Sequence, residues 1–322
     1  MRCRRPLSHA PICPVAGRAT HSGLNQVNKP PPPDSQPLSS IDFERLRPEL
    51  HRYCARMVGS VLDGEDIVQE ALLRALESGV PDRPIENPQG WLFRIAHNLA
   101  LDFLRRRARR ADTISEADVE MIVHPVDEQA RRDAAATTLP VFMQIPASQR
   151  SVVILFDVLE YSADEVGEIL GATVPAVKSI LQRGRSRLRA LASDATESCK
   201  RLPLPDAEQK LLRRYVDLFN SRDFDTLRTM LAADVRLDLV SRQQLQGPSV
   251  GRYFARYGER QGWRAWPGVV EGRPAVLMQQ DERSDGRPDY FVVLSWSDQR
   301  VSSIHDFFFA RYAIADAEQY SL

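Results

Sequence analysis

Residues 161–189 read YSADEVGEILGATVPAVKSILQRGRSRLR, and this stretch decides how the surrounding chain folds. Ser162 with Glu165 three residues later predicts a capping box at the start of a short helix, which ends at the following glycine. Thr173 and Pro175 predict the start of a second helix. Two helices joined by a glycine-containing turn predict a helix-turn-helix, whose second helix enters the DNA major groove. An ordinary helical hairpin with a solvated basic face is the alternative.

The second helix presents polar and basic side chains suited to base edges and phosphates, with apolar residues on its other side. The acidic residues cluster just before it, between 157 and 168, and none lies between 178 and 189. The candidate DNA contacts are therefore Thr173, Lys178, Ser179, Gln182, Arg183 and Arg185.

Upstream, residues 41–110 carry three apolar stripes at three- and four-residue steps, which predict three helices. The middle helix has a polar side formed by Asp66, Gln69 and Glu70. The last helix begins with aromatic and amide groups, which suit unstacked bases, and ends in RRRARR at 105–110, which suits phosphates. A solvated helix face and a solvated helix end are the respective alternatives. Trp91, at the start of that helix, is predicted as a core residue rather than a base-stacking one.

Composition changes divide the 322 residues into five segments. The first is rich in Pro and Ser without periodicity and is predicted to be disordered. An acidic, alanine-rich linker separates two helical blocks, and the LPLPD sequence at 202–206 ends the second block. The following residues predict amphipathic helices and then strands at 235–240, 275–280, 290–296 and 301–312, with a hairpin turn at 284–286. The predicted segments are 1–40 disordered, 41–110 helical, 111–138 linker, 139–195 helix-turn-helix and 203–315 α+β.

The overall composition excludes several classes of protein. The apolar fraction of 43% and the charged fraction of 27% are ordinary for a globular chain, and no stretch approaches the ~20 apolar residues of a membrane span. The four cysteines are far apart and form no metal-ligand pattern, which favours a reducing cytoplasm. The formal net charge is zero, but the local runs of basic residues bear more directly on the choice of partner.

Two segments together resemble an extracytoplasmic-function (ECF) sigma factor of bacterial RNA polymerase. Residues 63–71 and 91–106 look like sigma region 2, and residues 145–150, the helix-turn-helix and residues 183–189 look like region 4. The resemblance implies two all-α sigma domains that bind core RNA polymerase and promoter DNA, without cofactor or metal. It places polymerase docking on Asp66, Gln69 and Glu70, contacts to the −10 element on Asn98, Arg105, Arg106, Arg109 and Arg110, and contacts to the −35 element on the six residues of the helix-turn-helix. The loop 79–90 stands where the family forms its base pocket.

The third block resembles a SnoaL-like cone, an α+β fold. The similar residues are the opening helix at 211–224, the step at 231–235 and the closing strand at 304–307. A glycine-rich motif of one sigma group with such a domain is absent, and Ser241–Gln244 stands at the comparable point. The resemblance implies that the cone regulates activity through intramolecular contacts with the sigma domains. A cone pocket would be formed by Asp238, Trp263, Trp266 and His305.

We therefore expect a multidomain, non-enzymatic, cytoplasmic sigma factor with two all-α sigma domains and an α+β SnoaL-like cone. A cone-fold enzyme or small-molecule sensor with a helix-turn-helix adaptor is the alternative from another class, and a plain repressor is the third. The 63–106 pattern distinguishes them, because neither an adaptor nor a repressor has a use for it.

Overall fold

The computed structural model describes residues 42–78, 87–111, 134, 138–194, 203–259, 262–280 and 286–322. The predicted disordered segment 1–40, most of the linker, residues 79–86 of the predicted base-pocket loop and two residues of the predicted turn at 284–286 lie outside them. The boundaries of the five segments, which composition predicts, remain predictions.

Three helices form the first bundle: α1 (Phe43–Val58), α2 (Val61–Glu77) and α3 (Pro88–Ala111). Gly59 ends α1 in the left-handed conformation (φ 81°), and Ser60 caps α2 by accepting a hydrogen bond from the Asp63 amide at 3.1 Å. At Gly64 the backbones of α1 and α2 approach closely, because an added Cβ would stand 2.7 Å from the Ala55 nitrogen. The three predicted helices of this block are confirmed.

The second helical block contains α4 (Leu139–Phe142), α5 (Ala147–Val153), α6 (Ala163–Leu170) and α7 (Val174–Asp194). A π-helical turn over Ile154–Val158 continues α5. The capping box of Ser162 and Glu165 is present, and Gly171 ends α6 at φ 68°. The helix-turn-helix geometry predicted from these local signals is confirmed.

One apolar core joins the two helical blocks. The Phe93 ring lies edge-on to the Tyr161 ring, with centroids 5.3 Å apart. Arg94 donates to the Ile169 carbonyl at 3.4 Å and also to the Glu168 carbonyl. Arg150 is buried and donates to the carbonyls of Ile145 and Met57. The helix-turn-helix is therefore packed directly against the first bundle.

The α+β block begins with α8 (Asp206–Asn220) and α9 (Phe224–Thr229). Its strands, among the residues that the structure describes, are β1 (Leu231–Leu239), β2 (Gln243–Gln246), β3 (Trp263–Val270), β4 (Arg273–Gln280), β5 (Tyr290–Ser297), β6 (Arg300–Asp306) and β7 (Gln319–Ser321). They form one sheet in the order β2-β1-β6-β5-β4-β3-β7. The β1–β6 pair is parallel, and the other pairs are antiparallel. Helix α10 (Tyr253–Glu259) follows β2 through a 3-10 turn. The predicted α+β architecture is confirmed.

Both faces of this sheet are covered, which explains its continuous apolar runs. Val276, Met278 and Val292 pack with α8 and α10 on the inner face. Leu277 and Phe291, one residue out of phase, belong to an outer-face cluster that also contains residues of α1, α2 and α4.

The strand predictions need two corrections. The strand predicted over 301–312 ends at Asp306, because the backbone turns there and Phe308 N donates to Asp306 Oδ1 at 2.8 Å. Strands β2, β3 and β7 were missed. Strands β2 and β7 have only four and three residues, and the Trp and Pro residues of β3 did not alternate with polar ones.

Candidate nucleic-acid interface

Helix α7 displays most of the predicted DNA contacts. Thr173 and Lys178 are exposed, and Ser179, Gln182 and Arg183 are partly exposed. Thr173 also caps the helix, because its Oγ1 accepts a hydrogen bond from Ala176 N at 3.4 Å. The N-terminal half of α7 is thus an accessible polar surface of the type that reads a major groove.

Arg185 is the exception on this helix. Its guanidinium is buried and binds both oxygens of the buried Asp157 carboxylate. It also lies over the Phe156 ring, 5.5 Å from the centroid. The structure therefore places Arg185 in the interior, where it orients α7 instead of facing DNA.

Helix α3 displays the other predicted DNA surface. Asn98 is exposed, and so are the arginines at its C-terminal end, namely Arg105, Arg106, Arg109 and Arg110. Arg105 pairs with Asp102 at 2.9 Å. Trp91 is partly buried against the helical core, as predicted. His97 accepts or donates a hydrogen bond with Tyr53 OH at 2.7 Å. Burial, and secondarily Arg105, lowers the pKa of His97 to about 4, so this ring is neutral at pH 7.

The outer side of α2 combines acidic and apolar groups. Asp66 and Glu70 are exposed, Gln69 is half-buried, and Glu70 pairs with Arg74 at 2.7 Å. Leu73 and Leu76 continue the same helix surface and are 54% and 64% exposed. Two exposed leucines next to carboxylates form a surface suited to a protein partner.

Asp66 also lies close to Asp238 of the sheet domain. Desolvation, then Asp63 and Asp238, raises the pKa of Asp66 to about 6, although Arg273 acts in the opposite direction. The carboxylate remains exposed by surface area, so the raised pKa reflects a crowded acidic surrounding as well as partial desolvation.

The N-terminus of α2 has a second capping group, Glu271, from the β3–β4 turn. Glu271 Oε1 accepts a hydrogen bond from Val61 N at 2.6 Å, and Oε2 accepts one from Ser60 Oγ at 2.7 Å. Glu271 and Gly272 both have positive φ, 49° and 77°, as a tight two-residue hairpin requires. The tight turn therefore delivers a carboxylate to a helix N-terminus, where negative charge is favoured.

Two further ion pairs surround this cap. Arg56 Nη1 lies 2.7 Å from Asp316 Oδ2. The buried Glu65 carboxylate binds Arg47 and accepts a hydrogen bond from Tyr312 OH at 2.9 Å. None of these interactions was predicted. The Arg56–Asp316 pair and the Tyr312–Glu65 hydrogen bond each join residues more than 200 positions apart, and Arg47 and Glu65 lie on different helices.

A cavity of about 1040 Å³ lies beside these contacts. The basic residues that line it include Arg106 and Arg110 of α3, and the acidic residues include Glu271, Asp316 and Glu318. Two of the arginines predicted to bind DNA thus share a cavity with carboxylates of the sheet domain.

A second, smaller cavity of about 300 Å³ lies inside the sheet domain. Of the four residues predicted to line a cone pocket, only Trp263 lines this cavity. Asp306 of β6 faces inward and lines the cavity, so the preceding residue, His305, lies on the outer face of the sheet. Asp238 of β1 is paired with His305 and lies on the same outer face. Trp266 belongs to the outer-face side and donates its Nε1–H to Ser321 Oγ at 3.1 Å. Successive residues of a strand face opposite sides of the sheet, so the cavity is lined by Asp306 and not by the predicted His305. The sequence alone does not determine which of the two faces inward.

Within the described ranges, no group of three or more His, Cys, Asp or Glu is arranged to hold a metal ion. None of the helices in these ranges is both long and apolar enough to cross a membrane.

Comparison with known proteins gives two family-model matches: Sigma-70 region 2 over residues 43–110 and Sigma-70, region 4 over residues 142–188. The ECF RNA polymerase sigma factor SigG of Mycobacterium tuberculosis is 33% identical over 222 residues, covering 61% of this chain and 59% of the relative. SigW of Bacillus subtilis is 32% identical over 162 residues, covering 45% of this chain and 84% of the relative. The chain thus spans about three fifths of the length of the first relatives it matches.

Among solved structures, the crystal structure of the M. tuberculosis ECF sigma factor SigJ aligns with 82% of this chain and 94% of its own, at 23% identity and a TM-score of 0.32. A ketosteroid isomerase structure from Kribbella flavida, described as putative in its name, aligns with 31% of this chain at 25% identity and a TM-score of 0.26.

Proposed function

The chain belongs to the ECF RNA polymerase sigma factors, and from this premise we propose that it binds core RNA polymerase in the cytoplasm, directs it to promoters, and is restrained in cis by its α+β domain. The observation that carries the promoter-directing role is the pair of accessible DNA-suited surfaces on α3 and α7 in one chain.

At the −10 element, Asn98 is the amide that reads a base, and the four exposed arginines at the end of α3 contact phosphates. At the −35 element, the exposed part of α7 makes the contacts without Arg185, because that guanidinium is occupied by Asp157. Polymerase docks on Asp66 and Glu70, and the docking surface extends to Leu73 and Leu76, which are exposed at the same helical spacing.

The arrangement of the helices supports a restrained state. Elements at −10 and −35 are about 25 base pairs apart, or ~85 Å along a duplex at 3.4 Å per base pair. Because Arg94 of α3 bonds to the Ile169 carbonyl of α6, Asn98 and Lys178 are at most about 50 Å apart by the reach of the intervening chain. Both surfaces can therefore engage a straight promoter together only after the two helical blocks separate.

The proposed restraint rests on Glu271, with the Arg56–Asp316 pair and the Glu65–Tyr312 hydrogen bond as further support. These groups lie at the α1–α2 junction, beside the acidic side of α2 proposed for polymerase docking. The carboxylates of Glu271, Asp316 and Glu318 also share a cavity with the α3 arginines, where they would compete with DNA phosphates. We assign the α+β domain no catalytic step.

The test is run-off transcription with core polymerase and the full chain, comparing wild type with Glu271→Ala. The control is Asp298→Ala, which removes a carboxylate from another tight turn of the same domain at a similar φ of 51°. Leaving the Val61 and Ser60 donors unpaired costs ~1–2 kcal/mol, so we expect about 5–30-fold more transcript from Glu271→Ala and no change from the control. Equal transcription at equal total concentrations of chain and polymerase would reject the cis restraint, and no promoter-dependent transcript from any variant would reject the sigma role.

A further inference from the structure

The cavity of about 1040 Å³ beside the Glu271 cap lies between α3 and the sheet domain, and arginines from both sides line it. Helix α3 contributes Arg106, Arg107 and Arg110, and the sheet domain contributes Arg273 at the start of β4. In the part of the chain that the structure describes, none of these four guanidiniums forms an ion pair with a carboxylate. Positive charges therefore line both sides of the cavity, and an anion bound between them would offset their repulsion.

Two of the four carboxylates in the lining are already occupied by the protein. Glu271 caps the N-terminus of α2, and Asp316 is bound by Arg56. Asp63 and Glu318 are the remaining acidic groups of the lining. The arginines of α3 and β4 outnumber these two carboxylates, so the cavity favours an anion that carries more than one negative charge.

The part of α3 that lines the cavity is a single helical face. Phe103, Arg106, Arg107 and Arg110 are spaced at i, i+3, i+4 and i+7, so an aromatic ring lies one turn before the guanidiniums. Arg107 Nη1 also donates to the Val58 carbonyl at 3.4 Å, which holds this face against the end of α1. An aromatic ring followed by guanidiniums suits a nucleotide, because a base stacks on the ring and arginines bind phosphates.

The size of the cavity also favours a molecule larger than a phosphate ion. Small-molecule sites typically enclose ~300–1,000 Å³, and this cavity lies at the upper end of that range. Its lining includes Leu139 and Pro140 of α4, which provide apolar contacts for a base. We propose that the cavity binds a nucleotide with two or more phosphate groups, whose base lies against Phe103 and whose phosphates lie between Arg110 and Arg273.

The regulatory consequence of this site rests on the proposed function. A nucleotide held by both α3 and β4 binds only the packed arrangement, so at about ten times its Kd it shifts the equilibrium toward that arrangement by about 11-fold. It also occupies Arg106 and Arg110, which the proposed function assigns to the phosphates of the −10 element. The bound nucleotide therefore strengthens the restraint.

The binding test uses the full chain and isothermal titration calorimetry with ADP, in a buffer without divalent cations. Pyrophosphate has the phosphates without the nucleoside, and adenosine has the nucleoside without the phosphates. We expect saturable binding of ADP, binding of pyrophosphate that is weaker by about 5-fold or more, and no saturable binding of adenosine.

Two pairs of variants locate the site. Arg273→Gln should weaken ADP binding by about 5- to 10-fold, whereas Arg264→Gln, which removes an exposed guanidinium of β3 outside the cavity, should leave it unchanged. On α3, Arg110→Gln should weaken ADP binding to a similar extent, and Arg109→Gln, which lies outside the lining, should not. The α3 pair is compared by ADP binding alone, because both arginines are proposed DNA contacts.

Absence of saturable binding at millimolar ADP would overturn the proposal. Equal affinities for ADP and pyrophosphate would overturn the assignment of a nucleotide, and equal ADP binding by Arg273→Gln and Arg264→Gln would overturn the location of the site.

The regulatory consequence is tested by surface plasmon resonance with immobilised core polymerase, with and without ADP. ADP should slow the association of wild type and have less effect on Arg273→Gln, and an unchanged association rate of wild type would overturn this consequence. If Glu271→Ala leaves transcription unchanged while ADP still binds the wild-type chain, the cis restraint fails and the nucleotide site stands. If Glu271→Ala raises transcription and ADP does not bind, the restraint stands and the nucleotide site fails.

Discussion

Arg185 and Asp157 form a two-point ion pair in the interior of the helix-turn-helix: Nε lies 2.9 Å from Oδ2 and Nη2 lies 2.5 Å from Oδ1. Both side chains are buried, and the pair connects α7 with the π-helical turn that precedes α6. The pair thereby fixes the direction in which α7 presents Lys178 and its neighbours.

Removing one member of this pair should destabilise the fold. Arg185→Met leaves the Asp157 carboxylate buried without its partner, which typically costs ~3–5 kcal/mol. Urea unfolding followed by circular dichroism measures this change. Arg187→Met, an exposed position on the same helix, should stay within about 0.5 kcal/mol of wild type. Equal loss in both variants would contradict a structural role specific to Arg185.

Lys178→Ala should weaken the proposed contact with the −35 element, because this ammonium is exposed on the N-terminal half of α7. A lost phosphate contact lowers affinity for all sequences and reduces the salt slope by about 1, whereas a lost base contact costs ~1–3 kcal/mol and relaxes one position. Footprinting of holoenzyme at several salt concentrations distinguishes the two. Lys210→Ala, an exposed lysine of α8, is the control. Unchanged −35 protection in Lys178→Ala would remove this residue from the interface.

Charge reversal on α2 should weaken binding to core polymerase. In Asp66→Arg with Glu70→Arg, two exposed carboxylates of the proposed docking surface change sign, while the apolar core beneath them is untouched. Rim charges act chiefly on the association rate, so we expect slower association and a weaker salt dependence. Surface plasmon resonance with immobilised core polymerase measures both. Asp206→Arg with Asp217→Arg on α8 is the matched control, and equal kinetics of the two double variants would place docking elsewhere.

The stability of the chain should depend on pH through His97. Its pKa is lowered to about 4 in the folded state, so between about pH 6.5 and pH 4 the unfolded state binds more protons. The free energy of unfolding therefore decreases as the pH falls through this window. His97→Gln, which retains an acceptor for Tyr53 OH, should flatten this decrease in urea titrations.

Asp66 supplies a control of opposite sign. Its raised pKa of about 6 means that the folded state binds the extra proton, so protonation of Asp66 stabilises the fold as the pH falls. Asp66→Asn should therefore steepen the acid-induced loss that His97→Gln flattens. The same slope in both variants would contradict these pKa directions.

Sequence was sufficient where the determining contacts are local. The Ser162–Glu165 box and the left-handed Gly171 each depend on neighbours within one helical turn, and both are observed. Burial of Arg185 could not be inferred, because its partner Asp157 is 28 residues away and α7 offers several equivalent arginines. The α2 cap by Glu271 depends on how two distant segments meet. For the cavity inside the sheet domain, the sequence interpretation chose His305, and only the observed register shows that its neighbour Asp306 faces inward instead.

The bond from Val61 N to Glu271 has a consequence for hydrogen exchange. This amide lies in the first turn of α2, where a helix cannot satisfy its own N–H groups, so its protection from exchange depends on a carboxylate from the other end of the chain. The Asp63 amide, two residues later, keeps its local acceptor in Ser60 whether or not Glu271 is present. Under the proposed cis restraint, the exchange rate of Val61 relative to Asp63 therefore measures how often the α+β domain leaves α2.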